Sequence, residues 1–121
     1  MEPFQENFVA VLAAGEANGG TYKTVAPGKR AVIEHVSVYT YPAAARLADY
    51  FITSTIEDNS AFREVPIVTA LTASGFILGS HPLRAYAAPG TQFGAVIRRY
   101  GDLTQRISAT FVFAGYYVPV P

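Results

Sequence analysis

The sequence predicts an all-β protein, an antiparallel β-sandwich of about eight to nine strands. Strand-length runs of β-branched and aromatic residues recur at spacings of about ten residues, each closed by Gly, Pro, Asn or Asp. The last and longest run alternates apolar with polar residues, as a half-buried strand does. No segment keeps a helical period for three turns, so nothing supplies the helices that parallel crossovers require.

In chain order the candidate strands are Asn7 to Leu12, Thr21 to Val25, Arg30 to Tyr41, Leu47 to Ile56, Arg63 to Leu71, Phe76 to Ser80, Leu83 to Ala87, Gln92 to Tyr100 and Thr104 to Val118. The connectors AGEANGG, APGK, YPAAAR, EDNSAF, TASG, SHP, APGT and YGDLTQ all carry turn chemistry. APG stands before two of the runs, at Ala26 to Gly28 and Ala88 to Gly90, where Pro fixes one dihedral and Gly permits the next. The Ala-rich pieces are short, and one helical turn near Pro42 to Leu47 is the most they support. In the final run Ile107, Ala109, Phe111, Phe113 and Tyr117 share one side, and Arg106, Ser108, Thr110 and Tyr116 the other. In the fourth, Tyr50, Ile52 and Ile56 oppose Asp49, Thr53 and Thr55, with the polar side in solvent. A jelly roll is the preferred arrangement, ahead of an immunoglobulin-like sandwich or a barrel.

Composition bounds the rest. A chain of 121 residues with half its residues hydrophobic and 15% charged holds one compact core. Nine Lys plus Arg balance nine Asp plus Glu, which leaves no overall field to recruit nucleic acid or an anionic membrane. The absence of cysteine excludes disulfides, thiolate zinc sites and cysteine nucleophiles. The apolar piece Phe8 to Ala14 lacks a preceding basic region and falls short of the roughly 20 residues of a membrane span, so a cytoplasmic chain is the default expectation.

The order of TVAPGKRAVIEHVSVY, YAAPGTQFGAVI and a closing ATFVFAGYYV is similar to small bacterial jelly-roll proteins of unassigned function, a likeness that runs loosely over most of the chain. The eight residues FVFAGYYV also resemble the final strand of the C1q and tumour necrosis factor superfamily, with Ala114 where that superfamily often has Ser. The second resemblance implies a trimer of jelly rolls and brings no catalytic residues with it.

Few residues suggest chemistry. Glu34 and His35 are adjacent, and in a regular strand they point to opposite faces, Glu34 with Val32, Val36 and Val38 and His35 with Ile33, Ser37 and Tyr39. They therefore make no dyad, and a carboxylate among valines calls for an Arg from a neighbouring strand. The other histidine, His81, precedes Pro82 at an expected turn, in a capping or solvent-facing role. The His-x-His pair of metal-binding cupins is missing, and the loop Glu57, Asp58, Asn59 and Ser60 lacks the spacing of a calcium loop. No metal, cofactor or catalytic residue is expected.

Two groups remain as candidate ligand-binding residues. Arg98, Arg99 and Arg106 flank the YGDLTQ turn, where three guanidinium groups would bind a phosphate or carboxylate, with Asp102 in the turn neutralising part of their charge. Tyr39 and Tyr41 share a strand face and would stack on a sugar ring, while Tyr22, Tyr86 and Tyr100 lie near turns. The leading expectation is a noncatalytic module that works by assembly, and a carbohydrate-binding protein is the alternative. Apolar residues on both faces of Ala31 to Tyr39, continued by Val112, Ala114 and Tyr116, call for a second burial surface and hence a homo-oligomer, a trimer ahead of a dimer. The segment MEPFQENFV, with Phe4 and Phe8, and the tail YYVPVP are expected to serve as arms across that contact.

Overall fold

A computed structural model describes residues 1–41, 48–55, 62–100 and 103–120. The expected helical turn at Pro42 to Leu47, the loop from Glu57 to Ser60 and Asp102 lie outside the described residues, as do the side chains of Tyr41 and His81. The strands are β1 (Glu2–Leu12), β2 (Asn18–Thr24), β3 (Lys29–Tyr41), β4 (Ala48–Thr55), β5 (Phe62–Ile67), β6 (Ala70–Leu71), β7 (Ile77–Ala87), β8 (Gln92–Arg99) and β9 (Ile107–Pro119). No helix among the described residues is long and apolar enough to cross a membrane.

Two antiparallel sheets form the sandwich, one ordered β1-β9-β3-β7-β6 and the other β2-β8-β4-β5. The first strand thus pairs with the last, the second with the one before it, and both pairs extend inward to β3 and β4. This nesting of two Greek keys is the jelly roll. The alternation read from the last run holds: Ile107, Ala109, Phe111 and Phe113 are buried and Tyr117 packs against them. Across the interlayer they face Tyr50, Phe93, Ala95 and Ile97 of the smaller sheet.

The expected strand Arg63 to Leu71 divides into β5 and β6, which lie in different sheets, and three further expectations change. The SHP segment is not a turn, because β7 runs straight through it and pairs His81 with Val36 and Pro82 with His35. Among the described strands β6 covers β7 at Ile77 and Leu78 alone, so Pro82 lies in a stretch of β7 that is open on one side, where proline is tolerated. The N-terminal segment and the tail are not arms. β1 pairs with β9 from Glu2 opposite Tyr117 to Leu12 opposite Ile107, and Phe8 is buried. Phe4 packs against Tyr117 with tilted rings, 4.6 Å between centroids, and both side chains pack against the core of their own chain.

The third correction concerns Glu34 and His35. Ile33 lies opposite Gly115 and His35 opposite Ala114, so Glu34 is an extra residue relative to β9. On the other side, Ile33 opposite Ala85 and His35 opposite Pro82 leave β7 with an extra residue relative to β3. The double bulge breaks the two-residue period: Ile33 and Val36, three apart, are both fully buried, and Glu34 and His35 both fall on the outer side. Val32 also faces outward, covered between its paired neighbours Tyr86 and Tyr116.

Candidate functional site

The outer faces of the two sheets differ in chemistry. On the larger sheet, cross-strand pairing sets outward residues in rows: Val9, Thr110, Tyr39 and Leu78; then Asn7, Val112, Ser37 and Ser80; then Gln5, Ala114, His35 and Pro82; then Pro3, Tyr116, Val32 and Tyr86. None of these residues is Lys, Arg, Asp or Glu. Val9 and Tyr39 are about half exposed, at 54% and 50%, and Leu78 and Tyr86 are exposed as well. The bulge adds an ion pair to the face, Glu34 to Arg84 at 3.7 Å, both side chains in solvent. His35 turns away from it, its Nε2 3.1 Å from the Ser80 hydroxyl. The bulge therefore puts Glu34 and His35 on one side without joining them. Tyr39 borders a shallow depression of about 310 Å³ with Ser37, Leu78 and Ser80.

The smaller sheet carries charge on its outer face. Arg98 of β8 donates from Nη1 and Nη2 to the two carboxylate oxygens of Glu64 on β5, at 3.1 and 3.0 Å, and from Nε to the Asn18 side-chain oxygen on β2 at 3.0 Å. Residue 98 pairs with Asp49 and residue 64 with Thr53, so this bidentate link crosses over β4 diagonally. The Arg98 hydrogen bonds hold the Glu64 carboxyl below the usual carboxylate range. Beside it the hydroxyl end of Tyr22 lies over Gly20, where a Cβ would come within 2.5 Å of the phenol oxygen. Asn18, Gly19, Gly20, Tyr22, Glu64, Val96 and Arg98 line a groove of about 300 Å³.

Arg99 points the other way. It is 3% exposed, and its guanidinium donates to the carbonyl oxygens of Glu16 at 2.8 Å, Ala13 at 2.9 Å and Leu103 at 3.2 Å, and to that of Gln105. A buried cation is stable here because four backbone acceptors replace its water. It ties the β1–β2 connection to the β8–β9 connection. Arg106 is exposed and precedes β9. The structure thus separates the three arginines expected together: strand parity sends 98 and 99 to opposite faces, and each is engaged by different groups.

No family model and no curated protein matches the chain.

Among the described residues no three His, Asp or Glu side chains converge as metal ligands do. Other ionisable groups sit in peripheral pairs: Lys29 with Glu2 at 2.8 Å, and Lys23 with Glu6, a pair that links β2 to β1 across the mouth of the sandwich. The hydrogen bond to Glu6 raises the Lys23 ammonium above its ordinary value. Tyr50, inside the core, is pushed up by burial, with a hydrogen bond to Thr40 acting in the opposite direction. Thr40 itself donates to the Ser108 carbonyl oxygen at 2.6 Å. Sequence reasoning pointed to Tyr39 and Arg98 and passed over Asn18 and Glu64. Their grouping depends on β2 and β5 lying on either side of β8 and β4, which no local pattern encodes.

Proposed function

We propose that this chain is a noncatalytic assembly module, and that the outer face of the larger sheet packs against further copies of the same chain. The observation that carries this reading is the set of rows from Val9 to Tyr86, sixteen outward residues without one charged side chain. At strand spacings of about 4.8 Å and about 6.8 Å between alternate residues, the face projects to roughly 500–600 Å². That is the upper end for a patch left bare on a monomer, and most of the roughly 800 Å² that each partner gives to a stable interface.

Charge and edges favour a second copy as the occupant. The face carries the compensated Glu34–Arg84 pair and no net charge, so a charged partner gains little on it, whereas a second copy meets no net like charge. Prolines stand on two edge strands, Pro3 in β1 and Pro66 in β5, and Pro82 stands in the stretch of β7 beyond its pairing with β6; they disfavour growth by strand addition. Association is therefore by faces. Three copies are favoured over two because FVFAGYYV, whose residues 112, 114 and 116 belong to this face, resembles the final strand of trimeric jelly rolls.

Size-exclusion chromatography with light scattering at micromolar concentration tests the proposal. Three monomer masses are expected. A stable dimer overturns the three-copy arrangement alone, and a monomer overturns assembly.

A further inference from the structure

The groove on the opposite sheet lies outside the assembly face. We infer that it is a binding site for a neutral saccharide, with Tyr22 as the stacking platform and Asn18 and Glu64 as the hydrogen-bonding groups.

The floor is made of backbone. Gly19 and Gly20 leave β2 without side chains on either side of the strand there, and Tyr22 folds back over Gly20, its hydroxyl end against the position a Cβ would take. An aromatic ring held beside bare backbone, 46% exposed, presents an apolar surface at the rim of a polar depression. The C–H face of a pyranose fits such a surface.

The polar side is arranged by Arg98. Arg98 clamps both oxygens of Glu64 and the side-chain oxygen of Asn18, which fixes the carboxylate plane and turns the Asn18 amide nitrogen to donate elsewhere. Each Glu64 oxygen takes one hydrogen bond from Arg98 and keeps a further lone pair as an acceptor. Vicinal hydroxyl groups, each both donor and acceptor, match a carboxylate acceptor set beside an amide donor. Preorganised groups also lower the ordering cost of binding.

Charge decides the ligand class. The Arg98 cation is compensated by Glu64 at 3.0 Å, so the groove has no net positive charge with which to hold a phosphate, a sulfate or an acidic sugar. Its volume of about 300 Å³ is at the small end for ligand sites and suits one or two sugar rings.

The test is a titration of the ¹⁵N-labelled full chain with methyl α-glucoside, methyl α-mannoside, methyl β-galactoside and N-acetylglucosamine, and separately with sodium sulfate. The expected result is that at least one of the four sugars shifts the amides of Asn18, Gly20, Tyr22, Glu64 and Arg98. Affinity then falls by about tenfold or more in Tyr22→Ala and in Glu64→Gln, while Tyr39→Ala leaves it unchanged. Glu64→Gln guards against a folding defect in the first variant, since it keeps the shape of the groove. No shift with any of the four sugars overturns the inference, as does binding that survives both variants. Larger shifts with sulfate than with every sugar replace it with an anion site on Arg98. The oligomeric mass is independent of all these outcomes, so failure here leaves the assembly reading where it stands.

Discussion

Gly115 of β9 lies opposite Ile33 of β3, and a Cβ added to it would stand 1.9 Å from the Val32 carbonyl oxygen. The two strands approach this closely where Glu34 bulges out, so the glycine and the bulge are one feature. The obstructing atom is backbone and cannot rotate aside. Gly115→Ala is expected to destabilise the fold by about 3 kcal/mol or more, read from the denaturation midpoint. Gly28→Ala supplies the contrast: its φ is +80° but nothing lies within 4 Å of the added carbon, and about 1 kcal/mol is expected. Equal costs for the two would remove the close approach as the cause.

Arg98 and Arg99 are neighbours with opposite roles. Arg99→Met strands four carbonyl oxygens that the guanidinium now satisfies, and is expected to cost roughly 2–4 kcal/mol. Arg98→Met breaks a partly exposed ion pair and is expected to cost less than about 1 kcal/mol. Urea melts of the two variants check the order. A larger loss at Arg98 contradicts the assigned roles.

Glu64 sets a pH dependence. Its carboxyl is held low by the Arg98 hydrogen bonds, so the folded state binds that proton more weakly than the unfolded chain does. The stabilisation is full above the ordinary carboxylate pKa and disappears as pH falls through the lowered value. Carboxyl-detected NMR titration is expected to place the Glu64 midpoint below that of an unpaired glutamate, and to return it upward in Arg98→Met. The same midpoint in both proteins would show that Arg98 does not hold it.

Charge placed on the assembly face reports on the proposed contact. Tyr39→Asp together with Val9→Asp puts two carboxylates in one row, both at exposed sites where the fold itself loses little. The double variant is expected to run as a folded monomer, with mass read by light scattering and the strand content by circular dichroism. An unchanged oligomer places the contact elsewhere.

Much of this fold was legible in the sequence because burial on one face of a strand leaves a two-residue period. The run from Ile107 to Phe113 shows that period and fixes both its strand and its inner face. The same parity, applied to Arg98 and Arg99, separates the two residues that proximity to one turn had grouped. The bulge at Glu34 was not legible, since an extra residue is defined only against the strand it pairs with, here β9. Pro82 read as a turn because proline interrupts most strands, and only the open edge of β7 permits it. The ends read as arms because nothing in MEPFQENFV or YYVPVP says that each is the other's partner. The groove was hidden for a similar reason: Asn18, Glu64 and Arg98 are far apart in the chain and meet only through strand order.

That pairing of first strand with last has a kinetic consequence. During synthesis β1 emerges before every other described strand, yet among them its neighbour in the sheet is β9 alone, and the register joins Glu2 to Tyr117. Phe8, Ala10 and Leu12 must wait unburied until nearly a hundred further residues have been added. Closing so long a loop is entropically costly and slow relative to hairpin formation. The nascent chain therefore passes through an interval in which an apolar strand has no place to go, and Glu2, Pro3 and Glu6 are of the kinds of residue that disfavour pairing of such a strand with another chain.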